Sequence, residues 1–447
     1  MKIKLKKGLK LNIAGGLATP APKPVDIPAA ICAVVPDDFE GFVPKLSVKE
    51  GDDVAIGSPL LFDKNHNQVK LVSPIQGRVK AIVRGERRKI MRIEVEAAQN
   101  SASQPQFTKP VDEASARLFL AESGLLALMR RRPYAIVPDP DDNVRDIFVT
   151  AIDSAPLAPS FSAFNGIFNK EDLESGVAVL RKITKGNVYI SYGAAYNPGQ
   201  IKGAEMVEIE GQYPSGNPGI QAANIKPVNK GEAIWTLDIA TLARIGRLAA
   251  TGKLVSATVV AIVGPEVKDP ALVTTPIGAA VAPLLAKHLD KTDHHRRVIS
   301  GNVLTGVVVN PDEGFLRFPY RQITVIAEGD DTDEFMGWAS LAPSKMSESR
   351  SFPGHFISRL FRPDSRLNGG RRAMIMSGQY DQVIPMDILP EYLIKAIIAN
   401  DIESMEKLGI YEVAPEDFAA AEYVDTSKLP LQQIVRQGLD YLRKELE

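Results

Sequence analysis

Cysteine and histidine supply much of the metal and nucleophile chemistry of proteins, and this sequence has few of either. Among 447 residues it has one cysteine, Cys32, and five histidines. One thiolate can hold neither an iron–sulfur cluster nor a zinc site built on several cysteines. Cys32 lies in the apolar run 31–35, which predicts a buried strand and a small core side chain.

The histidines are poorly placed for catalysis or metal binding. His294 and His295 are adjacent, and neighbouring side chains diverge on a strand or a helix, so the pair predicts a solvated loop. His66, His288 and His355 are isolated. None has a serine or cysteine nucleophile nearby in a recognisable motif. The sequence therefore predicts no catalytic residue and no metal site.

Two runs in the last third have the spacing at which bacterial ferredoxins place their cluster-binding cysteines, with intervals of two, two and three residues. The eight positions are Met374, Ser377, Tyr380 and Ile384, then Pro415, Phe418, Ala421 and Asp425. None is cysteine, and the oxygen donors among them hold iron–sulfur clusters poorly. We therefore predict a helical domain with the outline of a two-cluster ferredoxin and no cluster. Chance spacing in an ordinary helical domain is the alternative.

Phosphate binding needs glycines that let backbone N–H groups approach the anion at a helix N-terminus. The chain has no Gly-x-Gly-x-x-Gly, and the passage from Ser123 to Tyr134 has one glycine and three arginines, Arg130 to Arg132. Such bulky side chains would block close backbone approach. The sequence predicts that flavin and NAD binding has been lost here, with a phosphate gripped by the arginines as the alternative.

The elements that carry these residues divide the chain into four regions. Residues 1–100 alternate short apolar stretches with Gly and Pro, which predicts an all-β domain. Its turns resemble the barrel-sandwich hybrid of biotinyl and lipoyl carriers, with Lys64 at the hairpin where those carriers hold the modified lysine. The context of Lys64 differs from theirs, so we predict a docking barrel, with a swinging arm as the alternative.

Residues 110–265 alternate helical stripes with buried-strand candidates, which predicts a Rossmann-like, doubly wound α/β domain. The expected helix spans 112–129, and the expected strands include 147–152, 188–192 and 255–263. A mixed segment follows at 266–345, and the helical domain covers 350–447. The fold class is thus multidomain α/β.

Charge and hydropathy exclude other classes of function. The formal net charge is −1, so no global field favours nucleic acid. The N-terminus lacks the apolar core of a signal peptide. The apolar run 271–286 is shorter than the ~20 residues needed to span a bilayer and contains two prolines. We expect a cytoplasmic protein that meets a membrane through a partner.

Short matches spread over nearly the whole chain carry a family resemblance. They include Leu128 to Pro133, Asp153 to Pro156, Tyr213 to Gly216, Ala261 to Lys268 and Met386 to Pro390. With them the chain resembles the A-subunit family of the bacterial Na⁺-translocating NADH:quinone reductases. That family is related to the cluster-bearing peripheral subunit of Rnf complexes and the flavoprotein subunit of complex I.

The resemblance implies a peripheral subunit of a six-subunit pump on the inner membrane. That complex uses NADH, flavins, iron–sulfur centres and a quinone, and its carriers lie in other subunits, so this chain would bind no cofactor. It would dock chiefly on a membrane subunit, and residues 266–345 would be an SLBB-like (ubiquitin-like) domain. The candidate quinone contacts are Ile31, Val34, Arg132 and Tyr134. The rivals are a flavin-binding oxidoreductase that lost its clusters and a carrier-domain protein.

Overall fold

The computed structural model describes residues 1–99, 101–330, 342–348, 352–357 and 359–446. The first region is all-β, as predicted. Its strands are β1 (Lys2–Lys4), β2 (Val25–Asp26), β3 (Ile31–Val34), β4 (Pro44–Leu46), β5 (Asp53–Val54), β6 (Pro59–Asp63), β7 (Lys70–Val72), β8 (Gly77–Arg84) and β9 (Ile90–Ala97).

Seven of these strands form the N-terminal domain. A four-stranded sheet has the order β3-β9-β8-β5, and a three-stranded sheet has the order β4-β6-β7. Leu60, Leu61 and Ile93 are fully buried in its core. Gly51 and Gly57 have φ near +88° and +87° in the turns on either side of β5, a conformation that glycine adopts without steric cost.

The second region is α/β. Its elements are α1 (Glu113–Glu122), β10 (Arg130–Arg132), β11 (Val144–Thr150), α2 (Lys170–Leu180), β12 (Val188–Tyr192), β13 (Glu205–Glu210), α3 (Pro218–Ile225), β14 (Ala233–Asp238) and α4 (Ile239–Thr251). The sheet order is β1-β13-β12-β11-β14-β10. All pairs are parallel except β10 with β14.

Helices cover both faces of this sheet. Ile147 and Val149 of β11 share a core with α2 and α4, whereas Phe148 packs with residues of α3 and its loop. This is the two-residue period of a strand buried on both sides. α2 and α4 touch at Gly246, where an added Cβ would collide with the Asp172 carbonyl oxygen. The predicted α/β arrangement is confirmed.

Three predictions for this region are wrong in detail. The helix expected at 112–129 ends at Glu122, because Gly124 adopts φ near +77° and a short 3₁₀ turn follows. Arg130 to Arg132, expected in a helix-to-loop passage, form β10. The strand expected at 255–263 exists as residues 257–263, but its hydrogen-bond partners lie in a second sheet. A fully buried strand has the same pattern in either sheet, so periodicity could not assign it.

The second sheet contains the strands of the third region and one strand, β2, from the first. The elements of the third region are β15 (Ala257–Val263), β16 (Ala271–Pro276), α5 (Val281–Leu285), β17 (Arg296–Ser300), β18 (Val307–Val308) and β19 (Gln322–Ala327). The order is β18-β17-β19-β15-β16-β2, with β15 antiparallel to β16 and parallel to β19. Residues 331–341 of the expected third domain lie outside the described residues.

The last region is helical, as predicted. It contains α6 (Tyr380–Val383), α7 (Pro390–Ile398), α8 (Ile402–Lys407), α9 (Ala419–Val424) and α10 (Leu431–Leu446). Its helices share a core that also includes Leu9, Tyr213 and Ile220. The helical unit therefore packs directly against the N-terminal segment and against α3 and the loop before it.

Candidate functional site

A cavity of ≈390 Å³ opens at the carboxyl ends of β11 and β14; we call it the central cavity. β12 and β14 flank β11 on opposite sides, so the strand order reverses at β11. Ligands of open α/β sheets bind at such a switch point. Thr150 and Asp238, the last residues of β11 and β14, line the cavity on the side of the sheet. Glu40, Arg321 and Glu416, which come from other regions of the chain, line it on the remaining sides.

Arg321 is the most unusual polar group of the central cavity. It is buried, donates from Nη2 to Asp153 Oδ2 at 2.7 Å, and lies over the Phe161 ring at 3.7 Å. Its Nη1 has no hydrogen-bond partner within the described part of the chain. Burial raises the pKa of Asp153, although the Arg321 guanidinium opposes the shift. The cavity thus holds a paired acid together with a donor that a ligand could use.

Arg132 holds Glu416, an acidic residue in the wall of the central cavity, in place. Arg132 is 1% exposed as a residue; its guanidinium donates from Nη1 to Asp417 Oδ2 and from Nη2 to Glu416 Oε1, both at 2.8 Å. Burial alone would lower the pKa of Arg132, but the Asp417 and Glu416 carboxylates outweigh it and raise the pKa. Asn217, at the start of α3, donates to the Glu416 carbonyl and to Asp417 Oδ1.

Arg132 therefore serves as a counter-ion inside the protein. Its guanidinium is occupied by acids of the helical unit, and it lines neither the central cavity nor the apolar slot described next. The run of three arginines drew attention to Arg132 in the sequence. Its acidic partners lie about 280 residues later, so no local sequence pattern links them to Arg132.

An apolar slot lies between β3 and the first α/β region. Its cavity volume is ≈80 Å³, and Val34, Phe39, Leu71, Leu128 and Phe318 are among its walls. Ile31, at the start of β3, is half-buried and does not line the slot. Tyr134 is buried and its ring lies under the Arg131 guanidinium. Of the four candidate quinone contacts, Val34 lines the apolar slot and the other three line neither the slot nor the central cavity, so the four do not form one wall.

The eight ferredoxin-spaced positions come together in part. Tyr380, Ile384, Phe418 and Ala421 lie in the helical core, with Met374 packed against it. Asp425 is fully buried and accepts from the backbone of Ser427 and Leu429. Burial raises the pKa of Tyr380, and the nearby Asp425 carboxylate adds to the shift. Ser377 donates to Glu391, and Pro415 lines the central cavity.

The remaining candidates occupy ordinary positions. Cys32 is buried, and burial raises the pKa of its thiol to about 12. Lys64 is exposed in the turn between β6 and β7. The predicted loop position of His294 and His295 is confirmed, although the rings face carboxylates: His294 lies 2.7 Å from Glu266 and His295 lies 2.8 Å from Asp330. In the described residues, no helix combines the length and apolar character needed to cross a bilayer.

Comparison with known proteins gives matches along most of the chain. Residues 3–98 match the family model described as the NqrA N-terminal barrel-sandwich hybrid domain, which confirms the predicted barrel. Residues 111–254 match the NqrA second alpha/beta domain, and residues 259–310 match the NQRA C-terminal domain.

Three curated relatives are similar over 99% of this chain and 100% of their own length. Each is named as the A subunit of a Na(+)-translocating NADH-quinone reductase. The relative from Neisseria meningitidis serogroup B is 35% identical, that from Serratia proteamaculans is 34% identical, and that from Yersinia pseudotuberculosis is 32% identical. Among solved structures, an NAD⁺-reducing NiFe hydrogenase covers 68% of this chain and 55% of its own, at 12% identity and a TM-score of 0.34. A score this low carries no argument.

Proposed function

Because the chain belongs to the NqrA family, the A subunits of the Na(+)-translocating NADH-quinone reductases, we propose that it acts in that complex as a cytoplasmic, peripheral subunit without its own redox cofactor. The observation that carries this proposal is the 35% identity to a relative of that name over the full length of both chains. Its partners would be the other subunits, chiefly one in the membrane, and the electron carriers would lie there.

Two features support a chain without clusters or flavin. Side chains of the helical core fill the ferredoxin-spaced positions. Tyr380 lies beside Asp425, and Tyr380, Ile384, Phe418 and Ala421 all belong to one core. In two-cluster ferredoxins the last ligand of each run likewise joins the first three of the other run. The Tyr380–Asp425 pair, which joins the first run to the last position of the second, is in keeping with descent from such a ferredoxin.

The second feature is the start of α3, beside the switch point of the sheet. A helix N-terminus there would be the natural place for a phosphate. Instead, Asn217 is bonded to Glu416 and Asp417, and the Arg132 guanidinium packs so closely on Gly219 that an added Cβ would collide with it. These carboxylates would repel a phosphate group.

A quinone-access role fits the central cavity better than the slot. Small-molecule pockets usually have volumes of about 300–1,000 Å³, a range that includes ≈390 Å³ and excludes ≈80 Å³. Tyr213, Tyr320 and Phe161 provide aromatic walls, and Arg321 provides a donor for a carbonyl oxygen.

Deletion of this chain in a host that makes the complex tests the main proposal. Membranes should lose Na⁺-stimulated NADH:quinone reductase activity and regain it when the chain is supplied again. Retained activity would contradict the proposal. Purified chain with visible flavin absorbance would instead favour the flavoprotein alternative.

Titration of the purified full chain with a short-chain quinone tests the access role. Ala155→Phe, which projects a ring at the wall of the central cavity, should weaken binding. Val34→Phe, the matched change in the apolar slot, should leave binding unchanged. The reverse result would favour the slot predicted from the sequence.

A further inference from the structure

A second group of polar side chains lies away from the central cavity, where the barrel meets the first α/β region. His66 belongs to the turn between β6 and β7, and Asp139 and Asp141 belong to the loop before β11. His66 Nε2 lies 3.3 Å from Asp139 Oδ2. One ligand atom from each of the three residues lies within 4.8 Å of the other two. The chain fold thus gives His66, isolated in sequence, two acidic neighbours.

The backbone orients the Asp139 carboxylate, and hydrogen bonds hold the turn that carries His66. Asp139 Oδ1 accepts the Asp141 N–H at 2.8 Å, which leaves Oδ2 directed at His66. On the barrel side, Asp63 Oδ1 accepts the N–H groups of Val43 and Asn65, and the His66 carbonyl accepts the Val69 N–H at 2.9 Å. A hydrogen bond to a ligating carboxylate, such as that from the Asp141 N–H to Asp139, fixes the direction of the ligand, and loss of such a bond costs roughly 10- to 100-fold in metal affinity.

We propose that His66, Asp139 and Asp141 bind one divalent transition-metal ion, with Zn²⁺ as the best match. Bonds of about 2.0–2.2 Å at tetrahedral angles separate neighbouring ligand atoms by roughly 3.3–3.5 Å. The His66–Asp139 distance of 3.3 Å already has this value. Asp141 is exposed, and one of its carboxylate oxygens lies within 4.8 Å of the other two ligand atoms.

The ligand types select among ions. An imidazole nitrogen suits Zn²⁺ and its transition-metal neighbours, whereas Mg²⁺ and Ca²⁺ prefer six or more oxygen ligands. Two carboxylates balance the charge of the ion, and the fourth position stays open to water. Because the ligands come from two domains, the bound ion would hold the barrel against the α/β region.

Calorimetric titration of the untagged, chelator-treated full chain with ZnCl₂ tests the proposal. We expect one Zn²⁺ per chain and a higher Tm in its presence. His66→Ala and Asp141→Asn should each weaken binding tenfold or more, on the order of the loss seen when metal-site partners are removed. Asp141→Asn changes an exposed side chain and keeps its shape, so this variant should fold even if His66→Ala does not.

The matched controls are His288→Ala and Asp293→Asn, which change a histidine and an exposed acid of the second sheet region; both should bind Zn²⁺ as the wild type does. Co²⁺ in place of Zn²⁺ should give visible bands that His66→Ala abolishes. Equal affinity in all variants would show adventitious binding, and a wild type with no binding up to about 1 mM, near the weak end of measurable affinity, would also overturn the proposal.

Discussion

Removal of the Arg132 charge should destabilise the contact between the helical unit and the first α/β sheet. In Arg132→Met the side-chain length is kept, but Asp417, which is 0% exposed, loses its guanidinium partner. Breaking a buried ion pair from one side costs about 3–5 kcal/mol, because a buried charge stays uncompensated. Glu416 contributes less, since 40% of its side chain is exposed and solvent screens it. Against a total stability of roughly 5–15 kcal/mol, this loss is large.

The loss should depend on pH. Partial burial raises the pKa of Glu416, and the Arg132 guanidinium opposes that rise, so in the variant the folded-state pKa of Glu416 should lie further above its unfolded value. A group with a raised folded pKa stabilises the fold below its unfolded pKa, and that contribution is lost as pH rises through the folded pKa. Arg132→Met should therefore lose more stability at pH 8 than at pH 5.

Urea unfolding at both pH values measures this effect, and hydrogen exchange locates it. Exchange should accelerate in α9 and α10 before the barrel. Arg84→Met, which changes an exposed arginine of the β8–β9 hairpin, is the matched control and should unfold like the wild type. Arg132→Met combined with Asp417→Asn should recover much of the loss. A single variant within ~1 kcal/mol of the wild type at pH 8, the range of an exposed pair, would refute the reasoning.

Other predictions concern separate sites. Burial, with repulsion from Asp387, raises the pKa of Glu412 to about 7. The contribution of Glu412 to stability is therefore lost as pH rises through about 7. In urea unfolding at pH 8.5, Glu412→Gln should be more stable than the wild type by about 1 kcal/mol, after allowance for the partial exposure of Glu412. Gly246→Ala should destabilise the α2–α4 contact by about 1–3 kcal/mol in the same assay, whereas Ala250→Ser on the exposed face of α4 should have little effect. Intact mass spectrometry should find Lys64 unmodified; an added biotinyl or lipoyl mass would instead support the carrier alternative.

The sequence predicts what depends on local pattern. The helices of the last region and the buried strand at 147–150 follow from residue periodicity, and both are present. Periodicity does not say which sheet a fully buried strand joins, so the sequence places β15 in the wrong sheet. The end of α1 depends on the backbone of Gly124, which a stripe of apolar residues does not reveal.

The candidate site was less predictable, because its parts meet only in the folded chain. Arg132 stands out by its neighbours in sequence, but its partners Glu416 and Asp417 decide its role. His66 has no acid beside it in the sequence, yet Asp139 lies 3.3 Å away. Long-range ion pairs of this kind have no periodic signature.

The two short strands at the start of the chain have a consequence for synthesis on the ribosome. β1 pairs with β13, and β2 pairs with β16, so each waits for a partner made about 200 residues later or more. Such non-local pairing slows folding. The first six-stranded sheet needs every residue up to 238 and the second needs those up to 327, whereas the barrel at 31–97 needs only its own strands. The barrel should therefore fold first, preceded by an unpaired segment that later adds one edge strand to each sheet.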